Sequence, residues 1–165
     1  MDLISRITKI IKAALVIFIF IVSSLGLVLI LKDSISSILT PPLKNAVVLI
    51  GQKKISVEIA SSPDELYRGL SGRTNLCADC GMLFDFPDSE EQEFVMRDMK
   101  FPLDIIFINK GRISRIAADL PPEGKTPRAV YTSGEPADQV LEVNGSYAAR
   151  NNFQIGNEVT VTGNK

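Results

Sequence analysis

From Ala13 to Leu31 the chain reads AALVIFIFIVSSLGLVLIL, nineteen residues without a charge. A bilayer core of about 30 Å needs roughly 20 such residues as a helix, so the run predicts a transmembrane anchor over residues 13–31. A cleavable signal peptide has a shorter apolar region, about 7–15 residues, ending at small residues. Ser23, Ser24 and Gly26 are small, but LVLIL follows them, so cleavage there leaves apolar chain behind. A buried core helix is rarely apolar all round at this length. Arg6, Lys9, Lys12 and the free amine precede the run, against Lys32 and Lys44 after it. That asymmetry places the basic N-terminus, residues 1–12, inside. The remainder then faces the periplasm or the cell exterior. Residues 32–45 read as a Ser/Pro tether, since Pro41-Pro42 cannot continue a helix.

The anchor leaves residues 46–163 to form one domain, and their charge limits its partners. Residues 45–165 hold 13 Lys+Arg against 17 Asp+Glu, with no basic cluster. This argues against nucleic acid and against a domain lying on anionic lipid. Within the domain, AVVLIGQKKISVEIA predicts a hairpin turning at Gly51 to Lys53. SSPDELYRGL predicts one short helix, with Ser62 as N-cap, Pro63 in the first turn and Gly69 as C-cap. The strands expected after it are GMLFDF, EFVMR, PLDIIFI, GRISRIAA, RAVYTS, QVLEV and NEVTVT, with a short helix at SYAARN. PLDIIFI is apolar on both faces and is expected at the centre of the sheet. Roughly nine short strands and one or two small helices predict a mainly antiparallel β domain, a compact barrel or jelly-roll-like sandwich. Parallel βαβ units would need longer helices between the strands.

The chain has no histidine and no tryptophan. The first absence removes the usual general base, the Ser-His and Cys-His pairs and the commonest metal ligand. No cofactor and no metal is expected. Among carboxylates Asp104 stands out: in FPLDIIFI it shares a face with Ile106 and Ile108, while Leu103, Ile105 and Phe107 take the other. Glu142 in VLEV has a similar apolar setting. Buried carboxylates are costly unless paired, and Arg68, Arg73 and Arg97 are the candidate partners. Met82 and Met96 are expected as core filling rather than a copper site.

The two cysteines, Cys77 and Cys80, form a C-x-x-C pair. Two thiols without imidazole fall short of the four ligands of structural zinc. The outside location makes oxidation the default, so the pair reads first as a disulfide staple. A thiol redox centre is the alternative, opposed by Asp79 beside it and by the lack of a following helix.

The stretches VEIASSPDELYRGLSGRTNL, GMLFDF, FVMRDMKFPLDIIFINKGRI and YTSGEPADQVLEVNGS together resemble the domain-of-unknown-function family 192, in the same order. The chain keeps Gly69-Leu70, Arg73, Gly81-Met82, Phe94, Met96, Pro102, Leu103, Asp104 and Glu142 of the family pattern. It has Val95 where tryptophan is usual, Ser71 in place of methionine, and Arg97-Asp98 in place of Lys-Asn. The resemblance implies a compact β-barrel or jelly-roll-like domain, often exported or membrane-tethered, and supplies no activity.

These readings favour a membrane-anchored extracytoplasmic binding or accessory domain whose ligand is an envelope glycan, a small molecule or a protein. The candidate ligand-binding residues are Arg73, Met96, Arg97, Asp98, Asp104, Tyr131, Ser133 and Glu142. The alternatives are a carboxylate-dependent hydrolase using Asp104 and Glu142, and a thiol redox protein using Cys77 and Cys80.

Overall fold

A computed structural model describes residues 43–163. The anchor expected at residues 13–31 and the tether to residue 42 lie outside them. No helix among the described residues is long and apolar enough to cross a membrane. They fold mainly as β structure, a single seven-stranded sheet curled into a half-barrel, with two short helices.

β1 (Lys44–Ile50) and β2 (Lys53–Ala60) form the expected hairpin, turning at Gly51-Gln52, where Gly51 takes φ +59°. Ala46, Val48 and Ile50 of β1 and Ile55, Val57 and Ile59 of β2 are buried together, as their period of two requires. α1 (Pro63–Arg68) follows with a complete capping box. The Glu65 backbone N–H donates to Ser62 Oγ, and Glu65 Oε2 accepts from the Ser62 backbone N–H.

β3 (Cys80–Phe94) then pairs with β2 in parallel. The other strand pairs are antiparallel, so the sheet is mainly antiparallel as expected, with this one parallel exception. A parallel crossover needs a dozen or more residues, not a long helix, and residues 61–79 supply that length with six helical residues and the disulfide loop. β4 (Leu103–Asn109) and β5 (Arg112–Leu120) are joined by Lys110-Gly111, both at positive φ, the backbone that a two-residue hairpin turn demands. β4 also pairs with β6 (Tyr131–Asn144), so it is internal, and its first six residues are buried. α2 (Tyr147–Arg150) and β7 (Val159–Thr162) complete the chain, and the sheet order is β5-β4-β6-β3-β2-β1-β7.

Seven strands replace the nine expected because two predicted pairs are fused. GMLFDF runs on through the polar DSEEQ segment to Phe94, and RAVYTS runs on into QVLEV from Tyr131. β3 and β6 pair along this length with register shifts between Asp85 and Glu90 and between Glu91 and Glu93. Bulges let one long antiparallel ribbon bend where separate strands and turns were expected. EFVMR ends as strand at Phe94, and the chain then turns, with Met96 O accepting from the Met99 and Glu123 backbone N–H groups. The curl brings the two sheet edges together at one place. Ile113 N–H donates to Asn157 O, and Val159 N–H to Gly111 O.

The sheet buries both faces. One carries Val48, Ile55, Val57, Leu83, Ile106, Leu141 and Val143, with Tyr147 and Phe153 packed on it. The other carries Met82, Phe84, Phe94, Leu103, Ile105, Phe107 and Val140, with Leu70, Met96 and Met99 packed on it from the connecting segments.

Candidate functional site

Asp104 and Glu142 sit one register step apart, since Asp104 pairs with Val143 and Ile105 with Glu142. Alternation sends their side chains to opposite faces of the sheet. Asp104 lies on the face of Ile106 and Ile108, as its position in the strand implies, and Glu142 on that of Val140 and Ile105. The two carboxyl groups therefore do not converge on one substrate, as a glycosidase pair must.

Asp104 is fully buried and paired with backbone. Its Oδ1 accepts from the Asp119 N–H at 2.7 Å and the Ser146 N–H at 2.9 Å, and its Oδ2 from the Ala148 N–H at 2.7 Å. Asp119 and Ser146 stand at φ +54° and +60°, so Asp104 holds two left-handed turns and the start of α2 against β4. None of Arg68, Arg73 or Arg97 reaches it. A carboxylate satisfied by backbone donors needs no cation.

Glu142 is different. It is 5 % exposed, and its Oε2 is buried without a hydrogen-bond partner. Met82 and Ile105 flank it on the neighbouring strands. Loss of hydration pushes its pKa up to about 8, with Arg73 pulling weakly the other way. Arg73 is already engaged: it grips Glu58 with two contacts of 2.6 and 2.7 Å. This pairing holds Glu58 below the usual carboxylate range and raises Arg73.

The Glu142 side chain forms part of the wall of a cavity of about 290 Å³ under α1. Phe84, Phe86 and Phe94 of β3 supply its aromatic lining, Leu66, Leu70 and Met99 its aliphatic one. The three rings meet edge to face, Phe84 and Phe94 at 4.9 Å between centroids and Phe86 and Phe94 at 6.4 Å. Gly69, at φ +48°, ends α1 over this cavity. A Cβ there would lie 3.1 Å from Phe84 Cζ and 4.0 Å from Glu142 Oε2, so glycine lets the end of α1 pack closely over the ring beside the acid. At the mouth stand Tyr67, 74 % exposed, and Arg97, whose guanidinium lies 4.0 Å from the Tyr67 ring centroid and donates to the Tyr67 carbonyl. Arg68, Glu93 and Val95 also line it. A larger hollow of about 620 Å³ lies over the β1–β2 turn and the segment after α2. Its lining is mainly polar turn residues with no buried unpaired group, so the chemistry favours the Glu142 cavity.

The other sequence candidates are spread over the fold. Met96 is fully buried core. Asp98 pairs with Lys100 at 2.7 Å. Tyr131 is half-buried against the second core face, opposite Phe94. Ser133 is buried, and its Oγ accepts from the Gln92 N–H, bridging the bulged part of β3 and β6. Arg97 and Glu142 alone of the eight line the cavity. Gly69 and the three phenylalanines were missed as site residues, because apolar alternation identifies a core face and does not mark where that face is left unfilled.

Cys77 and Cys80 are joined in a disulfide, with their Cα atoms 5.1 Å apart. Cys77 O accepts from Asn144 Nδ2 at 2.8 Å, which ties the loop to the end of β6. Between the cysteines Asp79 receives Lys53 Nζ at 2.6 Å and the Tyr147 hydroxyl at 2.9 Å, and these bonds lower its pKa. The staple is expected to contribute about 2 kcal/mol through the entropy of so short a loop. Replacing both cysteines with serine is expected to lower the melting temperature by roughly 5–10 °C, read by calorimetry. No change would mean that Asn144 and Asp79 hold the loop alone.

The described residues form a mainly β domain, a curled seven-stranded sheet with two short helices. The chain belongs to the DUF192 family, described as "Uncharacterized ACR", whose pattern matches residues 46–161. It is similar to a crystal structure from Sinorhizobium meliloti 1021 described as a candidate transcription regulator. That match has 27% identity and a TM-score of 0.68, covering 74% of this chain and 97% of that one. It is also similar to a protein of unknown function from Novosphingobium aromaticivorans DSM 12444, at 31% identity and a TM-score of 0.62, covering 70% and 83%. No curated protein matches it.

Proposed function

We propose that this chain is a membrane-tethered, extracytoplasmic binding domain, and that the cavity under α1 receives a small-molecule ligand. The observation that carries the reading is the unpartnered Oε2 of Glu142 in that cavity. A buried polar atom without a partner costs about 1–3 kcal/mol. A ligand that bonds to the Glu142 carboxyl relieves this cost. Apolar walls around one buried polar group are the usual make-up of a small-molecule site. The uncharged run at residues 13–31 supports the anchor. The acidic balance of residues 45–165 weighs against carrying over the description of the S. meliloti protein as a regulator of transcription.

The test is a titration of the full chain in detergent with benzamide, followed by amide resonances. Shifts that saturate at Gly69, Leu70 and Phe94, with Ala148 on the opposite face unmoved, are the expected result. Shifts spread over the surface, or none, contradict the reading. Carbonate extraction tests the tether: the chain is expected to stay with the membrane pellet, and release into the supernatant contradicts anchoring.

A further inference from the structure

We infer that the ligand of this cavity is a small amphiphile with three parts: an uncharged hydroxyl or amide head against the Glu142 carboxyl, an apolar body among Phe84, Phe86 and Phe94, and a carboxylate at the mouth beside Arg68 and Arg97. The inference rests on the reading of the cavity as a binding site and deepens it.

Size sets the body. A volume of about 290 Å³ is that of roughly ten water molecules, enough for one ring and its head group. Three phenylalanine rings around it favour a flat or branched apolar group.

Charge sets the head. Besides Glu142, the charged groups that line the cavity are Arg68 of α1, Glu93 of β3 and Arg97 after β3, while Arg73, paired with Glu58, lies outside the lining. A cationic head would have to pass Arg68 and Arg97. It would then form an ion pair with Glu142 among apolar walls, where desolvation offsets the attraction. An anionic head would place a second carboxyl-like charge against Glu142 in the same low-dielectric site. A hydroxyl or primary amide needs neither charge. It donates to the unpartnered Oε2 and accepts the proton of a neutral Glu142, in keeping with the upward displacement of that pKa.

The mouth sets the far end. Arg97 is held in place by the Tyr67 ring and carbonyl, and no acid pairs with it or with Arg68 among the described residues. Two guanidinium groups line the mouth with one exposed acid, Glu93, while Glu65 of α1 acts on Arg68 from outside the lining. Their planar donor sets suit a carboxylate.

Four probes with one ring separate these parts: 4-(hydroxymethyl)benzoate, benzyl alcohol, benzoate and benzylamine. Each is titrated into the full chain in detergent, with the Gly69, Leu70 and Phe94 amides as the readout. The hydroxymethylbenzoate is expected to bind tightest and benzylamine weakest. Arg97→Gln is expected to weaken the hydroxymethylbenzoate about fivefold, the upper reach of an exposed charge pair, and to leave benzyl alcohol within about twofold. Benzylamine binding tightest, or Arg97→Gln weakening both probes alike, overturns the inference and leaves the cavity as a binding site. No response to any of the four overturns both.

Discussion

Asp104→Asn is expected to destabilise the domain by about 3–5 kcal/mol, lowering its melting temperature by roughly 10–20 °C. Asp104 accepts three backbone N–H groups, from Asp119, Ser146 and Ala148, at 2.7 to 2.9 Å. An asparagine in the same rotamer keeps one oxygen for Asp119 and Ser146 and loses the charge that strengthens both bonds. Its amide group then points at the Ala148 N–H, donor against donor. Asp119 and Ser146 hold left-handed φ, a conformation that persists only when its surroundings enforce it. Releasing them loosens the end of β5 and the start of α2 together. Urea denaturation measures the loss. Asp98→Asn is the contrast, because Asp98 meets Lys100 at the surface, and it is expected to leave the midpoint almost unmoved. Equal, small effects of the two substitutions would contradict the structural role of Asp104.

The second large effect is a dependence of stability on pH through Glu142. Its folded pKa is raised to about 8 from an ordinary 4.5. Below pH 4.5 both folded and unfolded chains hold the proton, and stability is at its full value with respect to this group. Between 4.5 and 8 the unfolded chain releases the proton and the folded chain retains it. Stability therefore falls as pH rises through this window, by about 1.4 kcal/mol per unit, and levels off above it. Glu58 and Glu65 have lowered pKa values, so their contributions are lost only as pH falls into and below the carboxylate range. The chain contains no histidine, and among the described side chains Glu142 is the one whose raised pKa falls in this window. Glu142→Gln is expected to flatten the dependence and to exceed the parent in stability above pH 7. Urea midpoints at pH 5, 6, 7 and 8 read both. A flat parent curve would show that Glu142 ionises freely in the folded domain.

Several parts of this arrangement are legible in the sequence. The period of two in FPLDIIFI places Asp104 with Ile106 and Ile108, and the strand is internal as its two apolar faces imply. VLEV likewise marks Glu142 as a carboxylate in an apolar setting. The helix caps at Ser62 and Gly69 and the turn at Lys110-Gly111 are local chemistry, and local chemistry is what a sequence displays. The partners of Asp104 are not legible, because they are backbone N–H groups of two turns far along the chain, and no side chain announces a backbone donor. The cavity is not legible either. It arises because α1 ends at Gly69 over Phe84 while β3 bulges before Phe94, and residues 95–99 turn away from the strand that EFVMR predicts. Each of these is a departure from regular pattern. The parallel β2–β3 pair follows from the length of the whole crossover, which helix length alone underestimates.

The most direct measurement follows the Glu142 side-chain carbon by ¹³C resonance in the full chain, against pH, with and without benzyl alcohol. A midpoint near 8 is expected in the free protein, and a higher one with the alcohol bound, since the bound head group favours the neutral acid. A midpoint at the ordinary 4.5 that does not respond to the alcohol would contradict this expectation.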